Sequence, residues 1–156
     1  MASLTVFDSL NLAFQSVAQE RLLKLNGVLR DYGLELTPEA TAEILDARER
    51  ILKNQGRVEL DLSVTEKLIA GLAGSAFMMQ EELTKTINDA FEVFHFLKNA
   101  LSDFIGDDEV IDAMLTCFDQ DCGGSSELLL GKGAEKILKS FARRPPCRNL
   151  GMDEEE

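Results

Sequence analysis

Apolar residues recur every three or four positions through most of this chain, the spacing of amphipathic helices. Leu12, Ala13, Val17, Leu22, Leu25 and Leu29 predict a first helix from about Ser9 to Asp31, with Gly27 as a candidate break and Tyr32-Gly33 as its end. The next helix has the plainest boundaries. In "LTPEATAEILDARERILKNQG", Thr37 is the expected cap, Pro38 fits the first helical position, Glu39 suits the positive helix end and Gly56 closes the helix. Its apolar face is Ile44, Ala47, Ile51 and Leu52.

"RVELDL" then alternates apolar and charged residues, but no partner strand is visible, so it reads as an extended link or at most a minor hairpin element. Ser63 and Glu66 have the spacing of a capping box opening a helix on Val64, Leu68, Ile69 and Leu72, which ends near Gly74-Ser75. The longest helix is expected from about Gln80 to Asp103. Leu83, Ile87, Phe91, Phe94, Leu97 and Leu101 form its stripe, widened by Ala90, Val93 and Phe96. A stripe that wide needs partners on several sides, which places this helix at the centre. Asp107 is the expected cap of a helix burying Val110, Ile111, Met114, Leu115 and Phe118, and Ala134, Ile137, Leu138 and Phe141 mark the last one. The fold predicted is all-α: one domain over residues 1–142, an irregular or orthogonal bundle of five to seven helices, followed by a mobile tail over 143–156.

Length and charge narrow the picture. A chain of 156 residues suits a single domain that buries about 70% of its unfolded surface, so no metal or disulfide is needed to hold it. Acids outnumber bases by 28 to 16, for a net charge of −12. Such a surface repels phosphate backbones, so nucleic acid and anionic membrane are not expected partners. Arg143, Arg144 and Arg148 read as part of a solvated tail, and a DNA-binding face would have to be built around Arg48, Arg50, Lys53 and Arg57. Three cysteines make no disulfide framework, "MASLTVFDSL" has no signal-peptide pattern, and no apolar run is long enough to span a membrane. A reducing cytoplasm is the expected setting.

Seventeen residues, "CFDQDCGGSSELLLGKG" from Cys117, hold most of the candidate chemistry. Asp119, Asp121 and Gly124 match positions 1, 3 and 6 of a calcium loop, but Gly123 stands at position 5 and Leu130 at position 12, where a bidentate carboxylate is required. Cys117 and Cys122 lack a paired C-x-x-C; Cys117 falls near a buried face and Cys147 in the tail, so zinc is not expected. Gly131-Lys132 lacks the upstream glycine and downstream hydroxyl of a P-loop. The segment reads instead as a helix end at Gly123, a new cap at Ser125 or Ser126, and glycines that bend or break the next helix. Glu92 and His95 have the Glu-x-x-His spacing of di-iron helices, but this chain has only one histidine. Asn88, Glu92, His95 and Asn99 therefore read as a polar stripe, or as a small polar groove in which His95 acts as a pH-sensitive base. No nucleophile elbow is present. No cofactor and no metal are expected.

Two stretches, "EILDARERILKNQGRVEL" from Glu43 and "LKNALSDFIGDDEVIDAMLTCFDQDCGGSSELL" from Leu97, resemble a family of small bacterial helical proteins whose shared domain has no known function. With the helix between them they span about two-thirds of the chain. The resemblance implies a cytoplasmic bacterial protein, no established activity, a structural turn at Gly56-Arg57 and Glu59, and no functional residue to carry over.

The leading functional expectation is a non-enzymatic interaction or adapter protein that binds a protein partner or itself. The surface proposed for it is Phe77, Met78 and Met79, since methionine adapts to irregular partners. The alternative is a small-molecule-binding protein or enzyme with its groove around Glu92 and His95.

Overall fold

A computed structural model describes residues 6–142 apart from residues 60, 102 and 103. The tail expected over 143–156, with Arg143, Arg144, Cys147 and Arg148, lies outside the described residues, as do the side chains of residues 6–12. The described chain is all-α, with no strand. Its helices are α1 (Val6–Lys24), α2 (Asn26–Leu29), α3 (Pro38–Gln55), α4 (Ser63–Ala73), α5 (Leu83–Ala100), α6 (Asp107–Gln120), α7 (Ser126–Leu128) and α8 (Ala134–Ala142). A short 3₁₀ turn, Arg30–Tyr32, follows α2; another, Gln80–Glu82, precedes α5; a π-helical turn, Leu129–Gly133, joins α7 to α8.

Helix α5 is central. It packs against α3, α4, α6, α7, α8 and the π turn, burying Leu83, Ile87, Ala90, Phe91, Val93, Phe94 and Leu97 on several sides. Phe96, expected to widen that buried stripe, points outward at 44% exposure. One more turn of apolar face would need a neighbour that the bundle does not supply there.

The ends of α3 form as local chemistry dictates. Thr37 accepts from the Ala40 N–H at 3.0 Å, Pro38 takes the first turn, and Gly56 ends the helix at φ +67°. Three other expectations need correction. Ser63 does not cap α4 through Glu66: the Asp61 carboxylate accepts from both the Ser63 N–H and hydroxyl, while Glu66 pairs with Arg21 at 2.7 Å. The position before α6 is Gly106, with Asp107 inside the first turn. The first helix breaks at Leu25, and its buried contacts come from Ala18 and Leu22, with Val17 exposed.

Buried Asn26 holds the chain after that break. Its amide donates to the Leu36 carbonyl at 2.9 Å, and its side-chain oxygen accepts from the Leu36 N–H at 2.7 Å. The side chain thus pairs with a backbone segment ten residues on as a neighbouring strand would, satisfying two groups that burial would otherwise strand.

Candidate functional site

Two regions concentrate polar chemistry or exposed apolar surface. The first is built from the α4–α5 loop and the turn after α6. The Ser75 hydroxyl donates to Asp119 at 2.6 Å and accepts from the Phe77 N–H at 3.2 Å, fixing the loop on the end of α6. Phe77 then lies on Gly124, whose φ of +85° and missing side chain permit the contact; a Cβ there would overlap the phenyl group. Phe77 remains 49% exposed and Met79 57% exposed, while Met78 is half-buried against the core. Together with Phe118, Thr86 and the Gly123–Ser126 turn they line a cleft of about 630 Å³.

The polar end of this cleft is a linked trio. The Ser126 hydroxyl donates to Asp89 at 2.7 Å, and Lys85 lies 2.8 Å from Asp89 and 3.3 Å from the Ser126 hydroxyl. Asp89 holds the Lys85 ammonium above its ordinary pKa, so Lys85 is a fixed cation rather than a base that could activate Ser126. Glu82 and Glu127 complete an acidic rim.

Behind the same turn lie Cys117 and Cys122, both buried and unbonded, with their sulfurs 3.9 Å apart. Gly133, in the π turn, faces both; a Cβ there would sit 3.0 Å from one sulfur and 3.2 Å from the other. Burial, then the neighbouring Cys122, pushes the Cys117 thiol up to about 12, and burial also raises Cys122. The two aspartates that would lead a calcium loop face separate partners: Asp119 bonds Ser75, and Asp121 pairs with Lys136 at 2.6 Å. Among the described residues no three His, Cys, Asp or Glu side chains are grouped to hold a metal ion.

The second region surrounds His95, which is only 1% exposed. The imidazole packs edge-on to Phe91 and Phe94, with ring centroids 4.5 Å and 4.9 Å away. Its Nε2 lies 3.1 Å from Glu59 Oε2, an ion-pair distance, yet neither ring nitrogen makes a hydrogen bond. Glu59 comes from the extended link, not from α5. Arg48 of α3, 2% exposed, completes the group: it donates to the carbonyls of Glu59 at 3.2 Å and Asp61 at 2.9 Å, and lies 3.6 Å from the Glu59 carboxylate. Phe14 of α1 lies 5.9 Å from the Arg48 guanidinium.

The polar stripe expected on α5 is therefore divided. Glu92 is exposed, Asn88 half-buried and His95 buried. Asn99 is exposed, donates to the Gln55 carbonyl at 3.0 Å and accepts from Arg57 at 2.9 Å. These four residues form no single groove, because helical spacing decides which side chains share a face but not which neighbour covers it. Arg48 and Glu59 are the members that the α5 pattern missed. The one signal for Arg48 was its place in the Ile44–Ala47–Ile51 run, where a cation interrupts an apolar face. The basic group Arg48, Arg50, Lys53 and Arg57 lines one opening together with Asp46, Glu49 and Glu59, with Arg48 itself buried.

No described helix is long and apolar enough to cross a membrane. No curated protein and no solved structure matches the chain. A family model described as a family of unknown function, DUF6323, matches residues 21–145, a span that includes both regions apart from Phe14.

Proposed function

We propose that this chain, which belongs to the DUF6323 family, is a non-enzymatic cytoplasmic interaction protein whose docking surface is the cleft between Phe77–Met79 and the Gly123–Ser126 turn. The observation that carries this is the pairing of two half-exposed large apolar side chains, Phe77 and Met79, across a shaped cleft with an acidic rim. Isolated apolar residues on a surface are ordinary, but two held over a concave floor can receive a partner side chain. Glu82 and Glu127 on the rim outnumber its one cation, Lys85, and with a chain charge of −12 they match a partner of opposite sign. The partner is a basic amphipathic segment that seats an apolar residue on Phe77 and Met79 and sets its lysines or arginines against the rim.

The surface is tested by fluorescence anisotropy with a labelled Lys/Leu amphipathic peptide and an acidic peptide of the same apolar pattern. Binding of the basic peptide alone, weakened by salt and lost in Met79→Asp, is the expected result. Equal binding by the Met79→Asp chain removes this cleft as the docking surface. Met79 is the better probe than Met78, whose packing against the core would confound loss of binding with loss of fold.

A further inference from the structure

Cys117 stands in the last turn of α6 and Cys122 just past its end. The backbone ties the two positions together: the Cys122 N–H donates to the Cys117 carbonyl at 2.9 Å, and the Gly124 N–H donates to the Phe118 carbonyl at 2.9 Å. This helix ending sets both side chains on one side, with their sulfurs unbonded and 3.9 Å apart. A disulfide holds its sulfurs about 2.05 Å apart, so a bond here needs the pair to close by about 1.9 Å. On the facing π turn stands Gly133, where any side chain would press on both sulfurs. Cys117 also forms part of the wall of an opening of about 400 Å³ between α6 and α8, beside Asp121 and Lys136. That opening brings solvent to the Cys117 side of a pair that is otherwise covered.

We propose that Cys117 and Cys122 form a reversible dithiol–disulfide couple whose oxidant is a low-molecular-weight disulfide. Cys117, as thiolate, attacks one sulfur of the reagent, and the first small thiol leaves. Cys122, losing its proton in turn, attacks the Cys117 sulfur of the mixed disulfide and expels the second small thiol. Two electrons pass from the cysteines to the reagent, and the two protons end on the two small thiols. Burial keeps both thiols protonated at neutral pH, so thiolate is scarce and the uncatalysed exchange takes minutes to hours. Such a pair answers a sustained change in redox poise, not a brief pulse. The bond acts on the neighbouring turn. Cys122 leads directly into Gly123 and Gly124, and Phe77 rests on Gly124. Drawing the two sulfurs together therefore pulls on the support of Phe77. The couple does not require Phe77 to receive a partner, so it stands or falls independently of the docking surface.

The test is equilibration of the full chain in glutathione buffers of graded reduced-to-oxidised ratio, started from both the reduced and the oxidised side, in native buffer and in urea. Trypsin leaves both cysteines in one peptide, residues 99–132, and Cys147 in another. Mass spectrometry therefore reads the bond between Cys117 and Cys122 as a loss of two hydrogens from a single peptide. The oxidised fraction is expected to depend on the square of the reduced glutathione concentration, as an intramolecular disulfide does and a mixed disulfide does not. The native chain is expected to favour the bond about tenfold or more over the urea-unfolded chain, because the fold already holds the sulfurs together. NMR signals of Gly124 and Phe77 are expected to move between the two forms. Arrest at the mixed disulfide overturns the proposal. So does a bond no more favoured in the native chain than in urea, which would leave the two thiols as packing groups. Unmoved Gly124 and Phe77 signals in the oxidised chain overturn the coupling to the turn.

Discussion

Glu59 and His95 are thirty-six positions apart, yet the carboxylate of one lies 3.1 Å from the ring of the other, inside the bundle. The extended link after α3 carries Glu59 to α5, and Arg48 clamps the link by its carbonyls. A buried arginine, glutamate and histidine are a poor way to gain stability, because desolvation offsets much of their attraction.

Removing one member should be costly. Arg48→Ala leaves Glu59 without its guanidinium and frees two part-buried carbonyls, so a loss of about 3–5 kcal/mol is expected. Arg48→Met keeps the packing and should lose less. Urea unfolding of both variants checks the difference; equal losses would mean that volume, not charge, is what Arg48 supplies.

Asn26 tests the link between α2 and the chain at Leu36. Asn26→Asp preserves shape but replaces the amide donor with an oxygen facing the Leu36 carbonyl. A loss of about 1–3 kcal/mol is expected, since a buried acceptor is left unmet. Local amide exchange at Leu36 should rise little, because the remaining carboxylate oxygen still accepts from the Leu36 N–H.

The π turn and the two sulfurs should be energetically coupled. Gly133→Ala places a methyl group 3.0 Å from Cys122 Sγ, and overpacking of this kind costs about 1–3 kcal/mol. Cys122→Ala in the same chain removes the obstructing sulfur. A double-mutant cycle should therefore show recovery, and strict additivity would show that the glycine serves only the backbone.

Stability should fall in alkali through the buried thiols first. The Cys117 thiol is raised from 9.0 to about 12 in the folded chain. An unfolded chain releases that proton near 9.0, so its neutral-thiol contribution is complete below that pH and is lost as pH rises toward 12. Lys67, Lys85 and Lys136 are raised from 10.5 by their aspartate partners and lose stability in the same direction, but at higher pH. Between 9.0 and 10.5 the decline therefore belongs mainly to the cysteines. Cys117→Ala should flatten the urea midpoint across this window, and the double alanine variant should flatten it further.

Met79 provides the counterpart at the surface. Met79→Asp should change stability by less than about 0.5 kcal/mol, as exposed substitutions usually do, while abolishing binding of the basic amphipathic peptide. A large loss of stability instead would show that Met79 supports the loop rather than presenting it.

Local chemistry was sufficient for much of this protein. Helical periodicity marked α3 through α6 and α8, and Thr37, Pro38 and Gly56 set the ends of α3 because capping needs only neighbours in sequence. The width of the apolar stripe on α5 foretold its central place. The Gly123 turn was also legible, and a cap at Ser125 or Ser126, which the structure resolves to Ser125, since positive φ and a hydroxyl three residues before an N–H are local requirements. Tertiary structure decided the rest. Nothing adjacent to Ser63 signals that Asp61 will cap it while Glu66 is drawn to Arg21. Nothing in the α5 pattern reveals that His95 turns inward to Glu59 while Glu92 stays in water. A side chain's charge and helical phase are properties of its own segment, but its burial and its partner belong to whatever segment packs against it.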